Sequence, residues 1–463
     1  MNLKYVPVIG LEIHVQLHTN SKLFCGCSTK GIEPNSATCP ICLGHPGSKP
    51  VLNKKALDYA LKIAMALNCQ INESFSFSRK TYFYPDLSKN YQITQYELPI
   101  GQNGFLELSS GKKIRITRVH LEEDPAALIH ENSCCLADYN RSGIPLAEIV
   151  TEPDLASPSE AREFMDRLLN LLNFLEVFKL GEDTLKADSN ISLKGSERAE
   201  VKNVSGFRNI EKALQYEIER QTKMRDENEK ISRETRGFNE ERQTTYLLRK
   251  KESEEDYGYI FEPDLTPYRL SKKDLDEIKK TIPELPAQKS ARFQKQFGLA
   301  AYDANVLCAS KKLSDLFEEI AKSVSPKTVS VFLTREILGI VNYNKLELDS
   351  VELNAVHLTE LLQLLENKKV SEKNAKEAAI HYVLEKTPPK TYLEKQNLLM
   401  DTNSMDAEKI VEKILVQNPK AAEDLKSGNP KSLNFLVGLV MRETKGKANP
   451  REIQKMIEKK VKK

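Results

Sequence analysis

The sequence predicts an α+β protein: a mixed-sheet domain, then an all-helical domain and a small helical tail. Two observations predict it. Residues 1 to about 290 alternate period-two apolar segments with helical stretches, separated by Gly, Pro, Asn and Asp. After Pro286 apolar residues recur at helical spacing, and β-type alternation almost disappears. We therefore expect domains at residues 1–290, 291–405 and 406–463.

Composition is typical of a soluble globular protein. The 463 residues are 40% hydrophobic and 29% charged, enough for more than one buried core. No apolar run approaches the length of a membrane span, and a strand-like pattern starts so early that a targeting peptide has no room. We expect a cytoplasmic protein without membrane contact. A net charge of +3 does not by itself indicate nucleic-acid binding.

Helical spacing and terminal signals predict several helices. The Ser157-Pro158 pair followed by Glu160 is a start signal, and Pro388-Pro389 ends another helix. The predicted helices are Lys54–Leu67, Pro158–Leu175, Ile210–Lys230, Ser290–Phe297, Asp303–Val324, Pro326–Asn342 and Glu372–Glu385.

The segment Val8–His18 predicts a strand with two different faces. Leu11, Ile13, Val15 and Leu17 point to one side, and Glu12, His14, Gln16 and His18 point to the other. A carboxylate and an imidazole therefore share one face. A solvated face of an edge strand would give the same pattern.

Glu148 lies in the apolar run Ile144–Val150, which is typical of a strand buried on both faces. A buried carboxylate is costly unless it is paired or binds a cation. A metal ligand and a buried ion pair, for instance with Arg141, both account for Glu148.

Two more segments place polar residues in strands. Asp188 lies on the polar face of Ala187–Leu193. The segment Arg115–Asp124 contains both Glu122 and Glu123, and a phase slip predicts a bulge near Thr117. Alternation alone does not say which of the two glutamates faces the same way as His14.

Carboxylates that point inward from several strands suit Mg²⁺. No P-loop motif is present in the sequence, so any phosphoryl transfer does not use a P-loop.

Four cysteines form a C-x-C-x11-C-x2-C pattern: Cys25, Cys27, Cys39 and Cys42. Four thiolates at this spacing predict a closed tetrahedral Zn²⁺ site with a structural role. A redox role for Cys39-Pro-Ile-Cys42 is the alternative.

The end of the chain is rich in cations, including Lys445, Lys447, Arg451 and Lys455. A solvated terminal helix explains this pattern as well as nucleic-acid binding does.

Beyond these patterns, eight segments of the chain form a specific set. They are Val8–His14, Tyr82–Asp86, Tyr91–Gln95, Glu122–Asp124, Asn140–Asp154, Glu200–Asn203, Phe435–Gly438 and Lys445–Pro450. In these segments the chain resembles the GatB family, and the similarity covers the chain in order from Val8 to the C-terminus.

The resemblance implies a cradle domain, a helical domain and a YqeY-like tail that binds tRNA. It implies Mg²⁺ held by His14, Glu123 and Glu148, with Glu12 and Asp188 close by, and so selects Glu123 over Glu122. Lys202 is the corresponding candidate for phosphate contact, with a surface cation as the alternative.

The resemblance also implies an activity and partners. The activity is ATP-dependent amidation of Glu-tRNA(Gln), Asp-tRNA(Asn) or both, through phosphorylation of the side-chain carboxylate. The partners are a glutaminase A subunit, which supplies ammonia, and a small C subunit. Three positions, Ala127, Lys186 and Gly258, lack the cation or the arginine common in relatives. A non-catalytic zinc-containing RNA-binding protein is the rival hypothesis.

Overall fold

The computed structural model describes residues 4–31, 33–132, 134–250, 258–399, 404–426, 430–444 and 450–461. It contains two compact units, Met1–Leu285 and Pro286–Lys463. The first combines sheets with helices and the second is helical where described. The α+β fold class is therefore confirmed. The predicted three-domain boundaries stay a prediction.

The first unit is built on a nine-stranded sheet in the order β14-β13-β12-β11-β1-β10-β7-β6-β2. Among the described residues of this sheet, only the β12–β13 pair is parallel. Smaller sheets pair β15-β4-β5, β16-β3 and β8-β9. The strands are β1 Pro7–Gln16, β2 Gln70–Ile71, β3 Ser74–Phe75, β4 Ser78–Thr81, β5 Tyr91–Thr94, β6 Gly101–Glu107, β7 Lys113–Glu123, β8 Ala127–His130, β9 Cys135–Asp138, β10 Pro145–Thr151, β11 Leu185–Leu193, β12 Ala199–Ser205, β13 Glu234–Asn239, β14 Thr244–Lys250, β15 Gly258–Phe261 and β16 Tyr268–Arg269.

Helices cover the apolar side of the large sheet. Their bounds are α1 Lys54–Ala66, α2 Pro158–Phe174, α3 Phe207–Asp226 and α4 Lys272–Lys280. Leu11, Ile13 and Val15 of β1 are buried in the same core cluster as apolar residues of α1 and α2. The predicted starts of α1 and α2 are confirmed: the Asn53 and Ser157 side chains cap them by accepting backbone N–H groups.

The second unit contains two separate hydrophobic clusters, one within residues 293–398 and one within residues 411–461. Its helices are α5 Pro286–Phe297, α6 Ala301–Cys308, α7 Lys311–Ile320, α8 Pro326–Val331, α9 Leu338–Tyr343, α10 Ala355–Glu366, α11 Glu372–Glu385, α12 Pro389–Lys395, α13 Ser404–Gln417, α14 Pro419–Lys426, α15 Pro430–Glu443 and α16 Pro450–Val461. A π-helical turn, Phe332–Ile337, joins α8 to α9.

One helix prediction is wrong. Asp303–Val324 is two helices, α6 and α7, because the Ser310 side chain accepts the backbone N–H of Leu313 and starts a new helix. Elsewhere the predicted Glu372–Glu385 helix is confirmed at both ends. Within the described parts of the chain, no helix combines the length and apolarity needed to cross a membrane.

Candidate active site and metal centre

Polar side chains from four neighbouring strands meet on the side of the sheet opposite the helices. β1 lies inside the sheet between β10 and β11, so its polar face is not that of an edge strand. In register, His14 lies across from Glu148, and Glu12 lies across from Asp188. Glu148 in turn lies across from His120 of β7. We call this set of residues, with Glu122, the acidic face.

The acidic face is compact. His14 Nε2 lies 3.3 Å from Glu122 Oε1 and 3.6 Å from Glu148 Oε2. His120 Nε2 lies 3.2 Å from the same Glu148 oxygen. The alternative pairing of Glu148 with Arg141 is not what the structure shows, since the Arg141 guanidinium faces Asp124, at 3.6 Å. His120 is a member of the face that sequence reasoning missed, although its spacing two residues before Glu122 was a usable signal.

The structure does not bring Glu123 to the acidic face, in contrast to the expectation from the resemblance. The predicted bulge is confirmed: Val150 pairs with Arg118 and Thr151 with Ile116, so Thr117 is the extra residue. Beyond it, Arg118, His120 and Glu122 share one side of β7. The Glu123 carboxylate points to the other side, where it accepts hydrogen bonds from Lys89 Nζ at 2.6 and 2.7 Å and from the Ile93 backbone.

Burial and neighbouring charges shift the pKa values of this face in opposite directions. The Glu148 charge and burial raise the pKa of Glu12 to about 7. Burial and Glu148 raise the pKa of Glu122 to about 8. Burial opposes a charged Glu148, but His120 and His14 outweigh it and hold the pKa of Glu148 well below its usual range. Burial also opposes a charged His14, but Glu148 and Glu122 raise its pKa to about 10.

These residues fit a divalent cation. Two overlapping groups, Glu12/His14/Glu148 and His120/Glu122/Glu148, each bring their ligand atoms within 4.8 Å of one another. Glu148 Oε1 is buried and has no hydrogen-bond partner among the residues the structure describes. A cation would use that oxygen and displace the protons that the raised pKa values retain. Carboxylate oxygens suit Mg²⁺, and an imidazole in the set also suits Mn²⁺.

Lys202 lies on β12, two strands away from β1 in the sheet order. Its ammonium contacts Glu200 Oε1 at 3.3 Å. Its role in phosphate contact therefore stays a prediction.

The four predicted zinc ligands come together in the loop after β1. The sulfur atoms of Cys25, Cys27, Cys39 and Cys42 all lie within 4.8 Å of one another, and all four cysteines are free thiols. Zn–S bonds of about 2.3 Å place tetrahedral sulfurs about 3.8 Å apart. The Cys39–Cys42 distance is 3.9 Å, so this four-cysteine cluster fits zinc with little rearrangement.

A buried lysine lies against the four-cysteine cluster. Lys22 is fully buried, and its Nζ lies 3.6 Å from Cys42 Sγ and 3.1 Å from the Tyr139 carbonyl oxygen. A hydrogen bond from Cys25, and the Lys22 charge nearby, lower the pKa of Cys42 to about 4. No spacing pattern in the sequence predicts that Lys22 lies beside the cysteines, because its contact with Cys42 depends on the folded path of the loop.

The tail residues are only partly described. Lys445 and Lys447 lie outside the described residues, as does the side chain of Arg451. Lys455 is exposed on α16. Their contact with nucleic acid therefore stays a prediction.

The fold and the acidic face define a class of protein: a sheet domain that carries a cluster of carboxylates and imidazoles, followed along the chain by a helical extension. Residues 7–276 match the family model described as the GatB/GatE catalytic domain, which covers more than half of the chain. Residues 315–461 match a second model, described as the GatB domain.

Full-length relatives lead to the same result. The chain is 42% identical to the B subunit of the aspartyl/glutamyl-tRNA(Asn/Gln) amidotransferase of Carboxydothermus hydrogenoformans, over 99% of both chains. It is 45% identical to the B subunit of the same amidotransferase from Thermotoga petrophila, over 98% of this chain and 100% of the relative. The B subunit of the same amidotransferase from Persephonella marina is 42% identical, over 98% of this chain and 99% of the relative. The chain therefore belongs to the GatB family of amidotransferase subunits.

Proposed function

We propose that this chain amidates Glu-tRNA(Gln), Asp-tRNA(Asn) or both on its acidic face, using ATP and ammonia from a glutaminase A subunit. The observation that carries the proposal is the meeting of Glu12, His14 and Glu148 on one side of the sheet. The names of the relatives support the choice of substrate.

Two balanced steps make up the reaction. First, an oxygen of the side-chain carboxylate bonds to the γ-phosphorus of ATP as that phosphorus loses its bond to the bridging oxygen, and ADP leaves. Second, ammonia bonds to the acyl carbon, the bond from that carbon to the phosphate oxygen breaks, phosphate leaves with the electron pair, and the nitrogen loses a proton. Phosphorylation is needed because a free carboxylate is a poor acylating group.

The chain's own residues hold the reacting charges in place. Glu12, His14, Glu122 and Glu148 would hold Mg²⁺, and the ion would supply positive charge to offset that of the phosphates. His120 orients Glu148 through its 3.2 Å contact. The resemblance assigns Glu123 where the geometry favours Glu122, and the two alternatives can be separated by mutation.

Zinc in the four-cysteine cluster is proposed as structural, because four thiolates leave no open coordination position. A small C subunit is proposed as the third component of the complex, and the cytoplasm as its location. The tail, from about residue 406, is proposed to bind tRNA away from the reacting end.

The test is reconstitution of the full chain with its A and C partner subunits, ATP, glutamine and each mischarged tRNA. The amino acid released from the tRNA is then identified. Glutamine or asparagine on the tRNA, together with ADP formed in equal amount, is the expected result. ATP consumption that does not depend on a mischarged tRNA would contradict the proposal.

A further inference from the structure

Arg118 is a cation on the acidic face that the proposed chemistry above does not use. It lies on β7 beyond the bulge and shares a side of the strand with His120 and Glu122. Its side chain is 34% exposed, so part of it is open to solvent.

The contacts of Arg118 leave hydrogen-bonding capacity unused. Its Nη2 is 3.9 Å from Glu148 Oε1, which is too long for a hydrogen bond. Its Nε is buried and, within the described residues, has no hydrogen-bond partner. Glu148 Oε1 is likewise buried and without a hydrogen-bond partner among the described residues. The arginine and the carboxylate therefore do not form a direct bidentate pair, and one nitrogen of the guanidinium and one oxygen of the carboxylate stay unsatisfied.

A third group that binds both would satisfy them. Guanidinium groups form bidentate hydrogen bonds to phosphate oxygens. Glu148 Oε1 is free to ligate a cation, and divalent cations bound to carboxylates in such sites usually bind substrate phosphates too. Arg118 Nη2 and Glu148 Oε1, which are 3.9 Å apart, thus lie close enough for one phosphoryl group with its metal ion to contact both side chains.

The geometry points to Arg118 as a catalytic residue that binds an oxygen of the transferred γ-phosphoryl group, and then of the acyl phosphate. This inference rests on the proposed function and names a group of that same site. Arg118 stabilises the charge that develops on the phosphoryl oxygens as the bond to ADP breaks. It also holds the phosphate leaving group when ammonia attacks.

Arg118→Met in the full chain with its partner subunits tests the inference, with Arg115→Met as the matched control. Arg115 lies on the same strand, is exposed and pairs with Asp154 away from the acidic face. We expect kcat for tRNA-dependent ATP hydrolysis to fall by about 10²–10³-fold in the Arg118 variant. The Arg115 variant should match wild type.

Two further readouts separate substrate contact from a structural role. Free guanidinium ion should partly restore the activity of Arg118→Met, because it can occupy the same place. Mn²⁺ affinity, measured without nucleotide, should be unchanged or tighter, because a positive charge beside the ligand Glu148 has been removed. If the only role of Arg118 were to position Glu148, Mn²⁺ binding would weaken and guanidinium would restore nothing.

Each outcome is decisive. Wild-type kcat in Arg118→Met, or weaker Mn²⁺ binding without rescue, overturns the inference while the proposed function stands. A wild-type enzyme without tRNA-dependent ATP hydrolysis overturns both. Should the Met variant fail to fold, judged by its melting transition and zinc content, Arg118→Lys carries the same comparison. It keeps the charge and loses the bidentate geometry, so kcat should fall at least tenfold.

Discussion

At the scale of single residues, Glu148 shows how a strand that is apolar in sequence can carry chemistry. It is buried on β10 and is ionised because His120 and His14 lie beside it. Two imidazoles on neighbouring strands therefore offset the cost of burying the charge. The remaining unpaired oxygen would allow this carboxylate to bind a metal ion in addition to its contacts with the two imidazoles.

Glu122→Gln and Glu123→Gln should differ, although the two residues are adjacent. Glu122→Gln removes a carboxylate 3.3 Å from His14, so we expect Mn²⁺ affinity to fall by at least tenfold. Glu123→Gln should leave Mn²⁺ affinity close to wild type, because that carboxylate binds Lys89 on the other side of the strand. Titration of Mn²⁺ into both variants checks this. The opposite order would favour the assignment that the resemblance implies.

His14→Ala should abolish tRNA-dependent ATP hydrolysis, because it removes the imidazole between Glu122 and Glu148. Basal glutaminase activity should survive, since its nucleophile is proposed to lie in the A subunit. Parallel assays of ADP and of glutamate release measure the two activities. Wild-type ATP hydrolysis in this variant would mean that the acidic face is structural.

Lys22→Met should weaken zinc binding by roughly 10–100-fold, because the ammonium offsets negative charge on the thiolates next to Cys42. Lys30→Met is the control: Lys30 lies in the same loop, but is exposed and pairs with Glu182. Competition with a chromogenic chelator measures both affinities. Equal affinities in the two variants would show that Lys22 only fills space.

At the scale of elements, the four-cysteine loop and its metal are expected to fold together. Cys39→Ser should lose zinc and, with free zinc near 1,000 times its Kd, about 4 kcal/mol of local stability. Zinc content by metal analysis and thermal melting of the variant measure this. A zinc-free wild-type protein of unchanged stability would rule out the structural role.

Helix α3 contributes a pH-dependent part of the stability. Glu217 is fully buried, with Oε2 2.8 Å from Arg220 Nη2 and Oε1 3.0 Å from Arg236 Nε. Burial alone would raise its pKa, but Arg220, Thr245 and Arg236 outweigh it and lower the pKa below 4.5.

A carboxylate whose pKa is lower in the folded state stabilises the protein above its unfolded pKa, and this stabilisation is lost as the pH falls through the folded pKa. Glu217→Gln should therefore lower stability at pH 7 and flatten its decline below about pH 4.5. Chemical unfolding of the variant and wild type from pH 7 to pH 3 checks the slope. If the free energies of unfolding of variant and wild type changed in parallel over the whole pH range, the ionisation of Glu217 would not contribute to the pH dependence of stability.

At the scale of the whole molecule, the tail can be separated from the sheet unit because it has its own hydrophobic cluster, which includes Val411, Leu436 and Ile457. Deleting residues 403–463 should raise the KM for tRNA and reduce its salt dependence, because fewer phosphate contacts release fewer counterions. Affinity measured against salt concentration tests this, and zinc content should be unchanged. Equal affinities and slopes would show that the tail does not bind RNA.

The sequence by itself determined the α+β class, the polar face of β1, the bulge at Thr117 and the four-cysteine cluster. These depend on local periodicity, turn chemistry and ligand spacing, which a single chain displays directly. Several sequence segments also resembled the GatB family, and the family model and the full-length relatives confirm this membership.

Only the tertiary structure decided which groups meet. A slip of one residue reverses every side chain of a strand, so β7 needed the pairing with β10 before Glu122 could be placed beside His14. His120, Arg118 and Lys22 joined their sites through contacts between distant segments, which no local pattern records. The physical reason is that alternation determines the side of a strand, whereas the register between strands determines the neighbours on that side.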